Sequence, residues 1–377
     1  MIIPRYLENM IISQFKSYPK AIIIYGPRQI GKTTLSEKII KKLNLKTLKI
    51  NADLKTKEVD ILSSRNLEQL KQLVSGFELV FIDEAQNINN IGINLKIIID
   101  HFPKIKILAT GSSSFNLANK ISEPLTGRHW SFLLYPIANI ELKKTHTVFE
   151  LERSLEHQLV FGSYPELFSR KNFQEKQNLL LKISSSYLYK DILKLSNIQH
   201  ADKLHNLLRL LAFQIGSQVS TLELSKNLEL SRSAIENYID LLEKTFVIKR
   251  LGGFSKNLRK EIVKQDKIYF FDLGIRNAII NDFKPLNLRN DVGQLWENFI
   301  IMERFKRNAY TNHHCNSYFW RTYTGAEIDY IEEHSGQLFG FEIKNNSKIA
   351  KAPKTWIDTY DANFETVNRD NYLKFVT

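Results

Sequence analysis

The chain holds one cysteine, Cys315, among 377 residues. A single thiol excludes an intramolecular disulfide and any zinc cluster built on several cysteines, and it fits a reducing cytoplasm. Proline and glycine are sparse, at 9 and 15. With 43% hydrophobic and 25% charged residues and no low-complexity tract or internal repeat, the composition is that of a globular protein. Long apolar runs are missing. Ile22–Tyr25 and Ile97–Ile99 are sized for a strand or a helix core, whereas a membrane span needs about 20 apolar residues. The opening Met1-Ile2-Ile3-Pro4-Arg5 lacks the basic region and apolar core of a signal peptide. The expectation is a cytoplasmic protein with no membrane partner.

Acidic residues are in deficit, 40 against 53 basic, for a net charge of +13. The excess is uneven: 21 basic against 13 acidic in residues 1–150, 22 against 17 in 151–300, and 10 of each in 301–377. Such a balance suits a nucleic-acid or nucleotide partner. An AT-rich genome favouring Lys codons would produce it as well.

The length calls for two to four modules. In the first, residues 1–140, the Ile-rich run Lys20–Tyr25 reads as a buried strand leading into Gly26-Pro27-Arg28-Gln29-Ile30-Gly31-Lys32-Thr33-Thr34. This is G-x-x-x-x-G-K-T. Its glycines let backbone N–H groups curl towards phosphates, its Lys sits between the β- and γ-phosphates, and the Thr33 hydroxyl ligates magnesium. The helix Lys32–Leu43 follows, with Leu35, Ile39, Ile40 and Leu43 on one stripe. ATP and Mg2+ are the implied cofactors. A second apolar strand, Leu79–Ile82, ends in Asp83-Glu84. Asp83 would hold the magnesium and Glu84 would polarise the attacking water. After the strand Ile105–Ala109, Thr110 or Ser112 within Thr110–Ser114 is a candidate sensor of the γ-phosphate, and a Ser-rich cap is the plainer reading. Arg128, in Leu125–Arg128, is a candidate arginine finger acting from a neighbouring copy in a homo-oligomer; the alternative is a solvated loop Arg. Arg28 is a second candidate for phosphate or partner contact. With Lys46–Asn51 and Trp130–Tyr135, the strands alternate with helical stretches and predict a five-stranded parallel sheet.

Residues 141–200 read as a helical lid, broken at Gly162–Glu166. Residues 201–285 give helices at Asp202–Ile215, Thr221–Asn227 and Arg232–Lys244, the last capped by Ser231 with Ile235, Tyr238, Ile239 and Leu242 inward. Two β-like segments follow, Phe246–Leu251 and Lys267–Phe271, in winged-helix order. A DNA-binding reading puts Ser231, Arg232, Ser233 and Asn237 at the groove and Lys256, Arg259 and Lys260 on phosphate. Against it, Glu236, Asp240 and Glu243 on the same helix repel phosphate, and the segment would serve equally as a packing module.

Residues 286–377 give a helix, Val292–Arg307, with Leu295, Phe299, Ile300 and Phe305 as core candidates, then strands Tyr318–Arg321, Ala326–Ile331 and Gln337–Lys344. Period-two alternation puts Glu342 and Lys344 on one face. Helix Glu297, then Asp329, then Glu342-Ile343-Lys344 is the layout of a metal-dependent nuclease core. Asp329 and Glu342 would bind magnesium, Glu297 would add a ligand, and Lys344 would orient water or offset charge. A Lys–Glu pair alone would leave Asp329 without a partner. The plainer reading is a half-exposed sheet with a cross-strand ion pair.

Together, Gly26–Thr34, Phe81–Gln86, Thr110–Ser114, Leu125–Arg128, Gly162–Glu166, Trp320–Arg321, Glu327–Tyr330 and Phe341–Lys344 resemble a bacterial and archaeal family of AAA-type P-loop ATPases fused to a C-terminal restriction-endonuclease-like domain of unknown function. The resemblance spans nearly the whole chain. It implies an α/β protein: a P-loop AAA-type parallel sheet, a helical lid, a winged-helix middle and a restriction-endonuclease-like α/β end. It implies ATP binding and supplies no substrate. Two functions stay open: an ATPase acting on DNA through its C-terminal module, or a regulatory ATP switch whose C-terminal domain binds a protein and cuts nothing.

Overall fold

The computed structural model describes residues 3–17, 20–112, 124–188, 201–255 and 265–377. The chain divides into two compact units, one running to Tyr135 with the short stretch Lys244–Phe246, the other formed by the rest from Pro136 on.

The first unit is built on five strands: β1 (Ala21–Tyr25), β2 (Thr47–Asn51), β3 (Leu79–Asp83), β4 (Lys106–Gly111) and β5 (His129–Leu133). They lie in the order β2-β3-β4-β1-β5 and every pairing is parallel. The parallel sheet expected from sequence is thus present. The inner strand β1 is buried at all five positions and the edge strand β5 at none, as burial on both faces demands of an inner parallel strand. Ile23, Val80, Ile82, Leu95 and Ile107 fill the core. Helices α1 (Leu7–Ser17), α2 (Lys32–Leu43), α3 (Leu67–Val74) and α4 (Ile91–His101) accompany the sheet. Because β4 stands between β1 and β3, the loops leaving those two strands diverge around its end. That is the crevice where open α/β sheets take ligands.

The second unit carries a six-stranded sheet in the order β11-β10-β9-β8-β6-β7, from β6 (Ile248–Gly253), β7 (Lys267–Phe270), β8 (Asn316–Arg321), β9 (Glu327–His334), β10 (Gln337–Ile343) and β11 (Asn363–Val367). The expected helices are found at α5 (Val148–Phe161), α6 (Ala201–Phe213), α7 (Thr221–Leu228), α8 (Arg232–Lys244) and α10 (Val292–Tyr310), with α9 (Leu273–Ile280) and α11 (Lys354–Tyr360) in addition. Ser231 caps α8, its hydroxyl accepting from Ala234 N–H at 3.1 Å. Of the side chains expected inward on that helix, Ile235, Ile239 and Leu242 are buried and Tyr238 half-buried. Gly162 ends α5 with φ +73, and the Asp272 carboxylate stands where a Cβ would be. Any side chain there would evict a buried acid.

Two features depart from the linear reading. The hairpin β6–β7 does not end with the helices before it: Gly252 and Gly253 pair in parallel with Tyr318 and Phe319, so the hairpin continues the C-terminal sheet. Phe305, a core candidate, is only half-buried, while Lys306 beside it is 3% exposed and paired to Glu303 at 2.6 Å. The cause is that α10 is covered on more than one side, so its polar residues Asn298, Glu303 and Asn308 are buried too.

Candidate nucleotide site and C-terminal acidic cluster

The turn after β1 forms the first site. Gly26 has φ +152, and a Cβ on it would lie 2.5 Å from the Leu134 carbonyl oxygen; Gly31 has φ +91 and starts α2. Pro27, Arg28, Gln29 and Ile30 complete the loop between them, with Gln29 also left-handed at φ 59. The side chain of Lys32, 4% exposed, folds over the loop and donates to the carbonyls of Gly26 and Pro27 at 2.9 and 3.0 Å. From the first turn of α2 the Thr33 hydroxyl donates to Asp83 at 2.9 Å, and Lys32 Nζ stands 4.0 Å from Glu84. The two motifs are thereby brought together. Thr34, next on the helix, is exposed.

Glu84 has φ 53, an uncommon conformation for a side-chain-bearing residue and one that tends to mark functional sites. Thr110 is fully buried. Its hydroxyl accepts from the Glu84 N–H at 3.0 Å and donates to Asp83. It therefore bears on the acid pair itself. Ser112 accepts from the Gln86 side-chain amide at 3.1 Å, and the same amide donates to Glu84. Ser113 and Ser114 lie outside the described residues.

Sequence reading passed over two side chains here. Gln86 is one; its place two residues after Glu84 was the available signal. The other is Arg5, 7% exposed, whose guanidinium donates to the carbonyls of Ile30 at 3.0 Å and of Tyr135. It ties the phosphate loop to the chain beyond β5, and nothing in the N-terminal sequence announces that.

Arg128 stands at the other end of the sheet. Its carbonyl accepts from Ala21 N–H, at the start of β1, and its Nε donates to Asp100 at 2.8 Å. At about 3.3 Å per residue, β1 separates it from Gly26 by more than about 13 Å, so it does not serve this chain's own phosphate loop.

The second unit gathers the remaining candidates at one end of its sheet. The antiparallel register runs to Phe341 opposite Tyr330, and continued one step it sets Glu342 opposite Asp329. Residues directly opposite share a face. Asp329 Oδ2 accepts from Ile343 N–H at 2.8 Å, and Lys344 Nζ donates to Glu342 at 2.6 Å. Glu297, from α10, accepts from the Tyr269 hydroxyl at 2.6 Å. A residue unassigned by sequence occupies the middle: Lys267, 4% exposed, with its ammonium 2.6 Å from Glu327, 3.2 Å from Glu297 and 3.8 Å from Asp329. The expectation that Asp329 lacks a partner is thereby corrected, since an ammonium and a backbone N–H both face it. Lys267 comes from β7, some sixty positions upstream of Asp329 in the chain, and only the continuity of the hairpin with the C-terminal sheet brings it there.

Burial pushes Glu297 up to about 7, with Lys267 acting against it. Burial also raises Asp329, again opposed by Lys267, and raises Glu342, where the Asp329 charge adds to the effect. Burial would lower Lys267, but Glu297, Asp329 and Glu327 override it and hold the ammonium charged. In this cluster four acids, Glu297, Glu327, Asp329 and Glu342, are met by Lys267, Lys344 and Arg321, the last 3.8 Å from Glu327. Its carboxylates do not bring three ligand atoms within 4.8 Å of one another. Among the described residues, only His313, Cys315 and Glu332 do so. That trio is structural: Glu332 is gripped by Arg304 at 2.8 and 2.6 Å and also by Asn308.

On the α8 side, Ser231, Arg232, Ser233 and Asn237 are exposed. Asp240 and Glu243 are taken up by Arg250 at 3.2 and 2.6 Å. Lys256, Arg259 and Lys260 lie outside the described residues.

Residues 18–143 match a family described as AAA domain. The N-terminal unit is an AAA-type ATPase domain. Beyond this ATPase domain, residues 152–286 and 292–368 each match a family described as a domain of unknown function. An uncharacterized protein of Mycobacterium tuberculosis is 28% identical over 330 residues, covering 86% of this chain and 70% of its own. An uncharacterized protein of Methanocaldococcus jannaschii is 23% identical over 394 residues, covering 97% and 83%. The Holliday junction branch migration motor RuvB of Thermotoga maritima aligns with 66% of the chain and 90% of its own at 16% identity, with a TM-score of 0.35. No helix among the described residues is long and apolar enough to cross a membrane.

Proposed function

We propose that this protein is a magnesium-dependent ATPase whose turnover is coupled to nucleic-acid binding or cleavage at the C-terminal acidic cluster. The hydrogen bond from Thr33 to Asp83 carries the first half, because it joins the helix start under the phosphate loop to the strand-end acid. These residues fit a hydrated magnesium ion: a hydroxyl and a carboxylate, with lysine beside them. Bound magnesium would neutralise charge on the β- and γ-phosphates. Lys32 would swing from the loop carbonyls to the same phosphates, backbone N–H groups of residues 27–32 would orient them, and Glu84 would take a proton from the attacking water. Arg128 would act on a neighbouring copy's nucleotide.

For the C-terminal cluster, Glu297, Asp329, Glu342 and Lys344 at one sheet end support a phosphodiester site. Lys267 favours a second reading, a switch domain that binds without cutting, because its ammonium already satisfies three of the acids. ATP turnover with and without DNA, with nicking followed in the same reaction, separates the two. DNA-stimulated hydrolysis with magnesium-dependent nicking supports the first. Unstimulated hydrolysis with intact DNA supports the second.

A further inference from the structure

Around the acidic cluster the surface changes character. The β8–β9 connection is a tight turn, with Thr322 N–H donating to Ala326 O at 2.8 Å and the Thr322 and Thr324 hydroxyls 2.9 Å apart. At its tip Tyr323 is fully exposed, and beside it Arg321 is about half exposed. An ordered turn that holds a whole aromatic ring in water forgoes its burial and packs it against nothing. On the other side, the chain leaving β10 begins at Lys344, and from Lys344 to Ile357 it contains four lysines and no acid. Lys348, Lys351 and Lys354 are exposed. This loop is pinned: Ala350 N–H donates to the Thr366 hydroxyl at 3.0 Å, and Arg369 donates to Asn345 at 2.8 Å. The antiparallel pairing places the loop and the aromatic turn at the same end of the sheet, since it brings the end of β10 to the start of β9.

We infer that this end of the sheet grips single-stranded nucleic acid, with Tyr323 stacking on a base and Lys348, Lys351 and Lys354 facing backbone phosphates. A basic track joined to an exposed aromatic ring is the combination that holds unpaired strands, because stacking needs a base face that a duplex hides. The exposed lysines match the polyanion's charge. The inference deepens the nucleic-acid reading above and rests on it for the orientation of the strand across the cluster.

The test uses the full chain, in EDTA, with a labelled single-stranded oligothymidylate followed by fluorescence anisotropy. Duplex DNA of equal length and polyglutamate serve as competitors. Expected results are preference for the single strand, about tenfold weaker binding in Tyr323→Ala, and a salt slope shallower by about 2 in the Lys348→Ala/Lys351→Ala/Lys354→Ala triple variant. Unchanged thermal melting certifies that the variants fold. Equal affinity for duplex, displacement by polyglutamate at equal charge, or a Tyr323→Ala variant that binds as well as wild type would each overturn the inference. Because EDTA removes any metal-dependent chemistry, a chain that binds here yet never cleaves with magnesium defeats only the cleavage reading.

Discussion

The Gln86 side-chain amide donates at once to the Glu84 carboxylate and, at 3.1 Å, to the Ser112 hydroxyl. The group expected to activate water is thereby tied to the end of β4, and Thr110 on that strand binds Asp83 and the Glu84 backbone. If Gln86 positions Glu84, Gln86→Ala should lower kcat by about tenfold with little change in KM, since a misplaced base costs rate more than affinity. Gln86→Asn, which keeps the amide on a shorter arm, should fall between. A KM increase at wild-type kcat would assign Gln86 to nucleotide binding instead.

Lys32→Ala should weaken ATP binding on the order of 100-fold, because it removes a charged donor to the phosphates. Glu84→Gln should bind ATP normally and lose turnover by about 100-fold or more. Calorimetry and single-turnover hydrolysis check the two. Normal ATP affinity in Lys32→Ala would defeat the phosphate-loop assignment outright.

Arg128 lies beside the start of β1, too far from its own loop to reach it, so any catalytic contribution would have to come between copies. Arg128→Ala should cut turnover by about 1,000-fold at nearly unchanged ATP affinity. Mixing it with Lys32→Ala chains should restore part of the activity, since one protein supplies the Arg and the other the intact loop. Mixtures no more active than their components would leave Arg128 as the Asp100 partner and nothing more.

The first unit was legible because its information is local. A strand, a glycine loop and a helix follow each other in 23 residues from Ala21 to Leu43, and the acid pair ends an apolar run. The acidic cluster was legible only in part. Asp329, Glu342 and Lys344 lie on one hairpin whose two-residue turn, Ser335 and Gly336 at φ 51 and 76, fixes their register. Lys267 and Tyr269 arrive from a hairpin assigned to another module, so no spacing rule reaches them. Strand β11 escaped because it is a short edge, Asn363–Val367, with only Thr366 and Val367 buried.

His157, on α5, offers a pH test away from either site. Its ring packs against Phe161 at 5.1 Å, and burial, aided by the Lys176 charge, lowers it from 6.5 to about 4. The unfolded chain therefore binds a proton between pH 6.5 and 4 that the folded chain refuses. The stability this site contributes is complete above pH 6.5 and is lost as pH falls towards 4. Allowing for solvent screening of its exposed edge, the loss is about 2 kcal/mol. His157→Phe should lose correspondingly less stability than wild type between pH 7.5 and 4.5 in urea melts. Parallel pH curves for the two chains would show that His157 titrates normally.

The last expectation concerns Lys267 and a divalent cation. The ammonium stands among Glu297, Glu327 and Asp329, where a metal ion shared by Asp329 and Glu342 would exert the same pull. Lys267→Met keeps the length of the buried side chain and removes its charge, leaving four acids facing only Lys344 and, at Glu327, Arg321. Removing one partner of a buried ion pair costs about 3–5 kcal/mol, so the variant should melt well below wild type in EDTA. If the carboxylates can hold a metal, Mn2+ should stabilise Lys267→Met far more than wild type, because the ion takes the place of the lost ammonium. Adding Asp329→Ala should abolish that response, and wild type should respond weakly, with Lys267 competing for the same oxygens. A Lys267→Met chain whose melting ignores Mn2+ would mean that these acids exist to bury a lysine, and the nuclease reading of the cluster would fall with it.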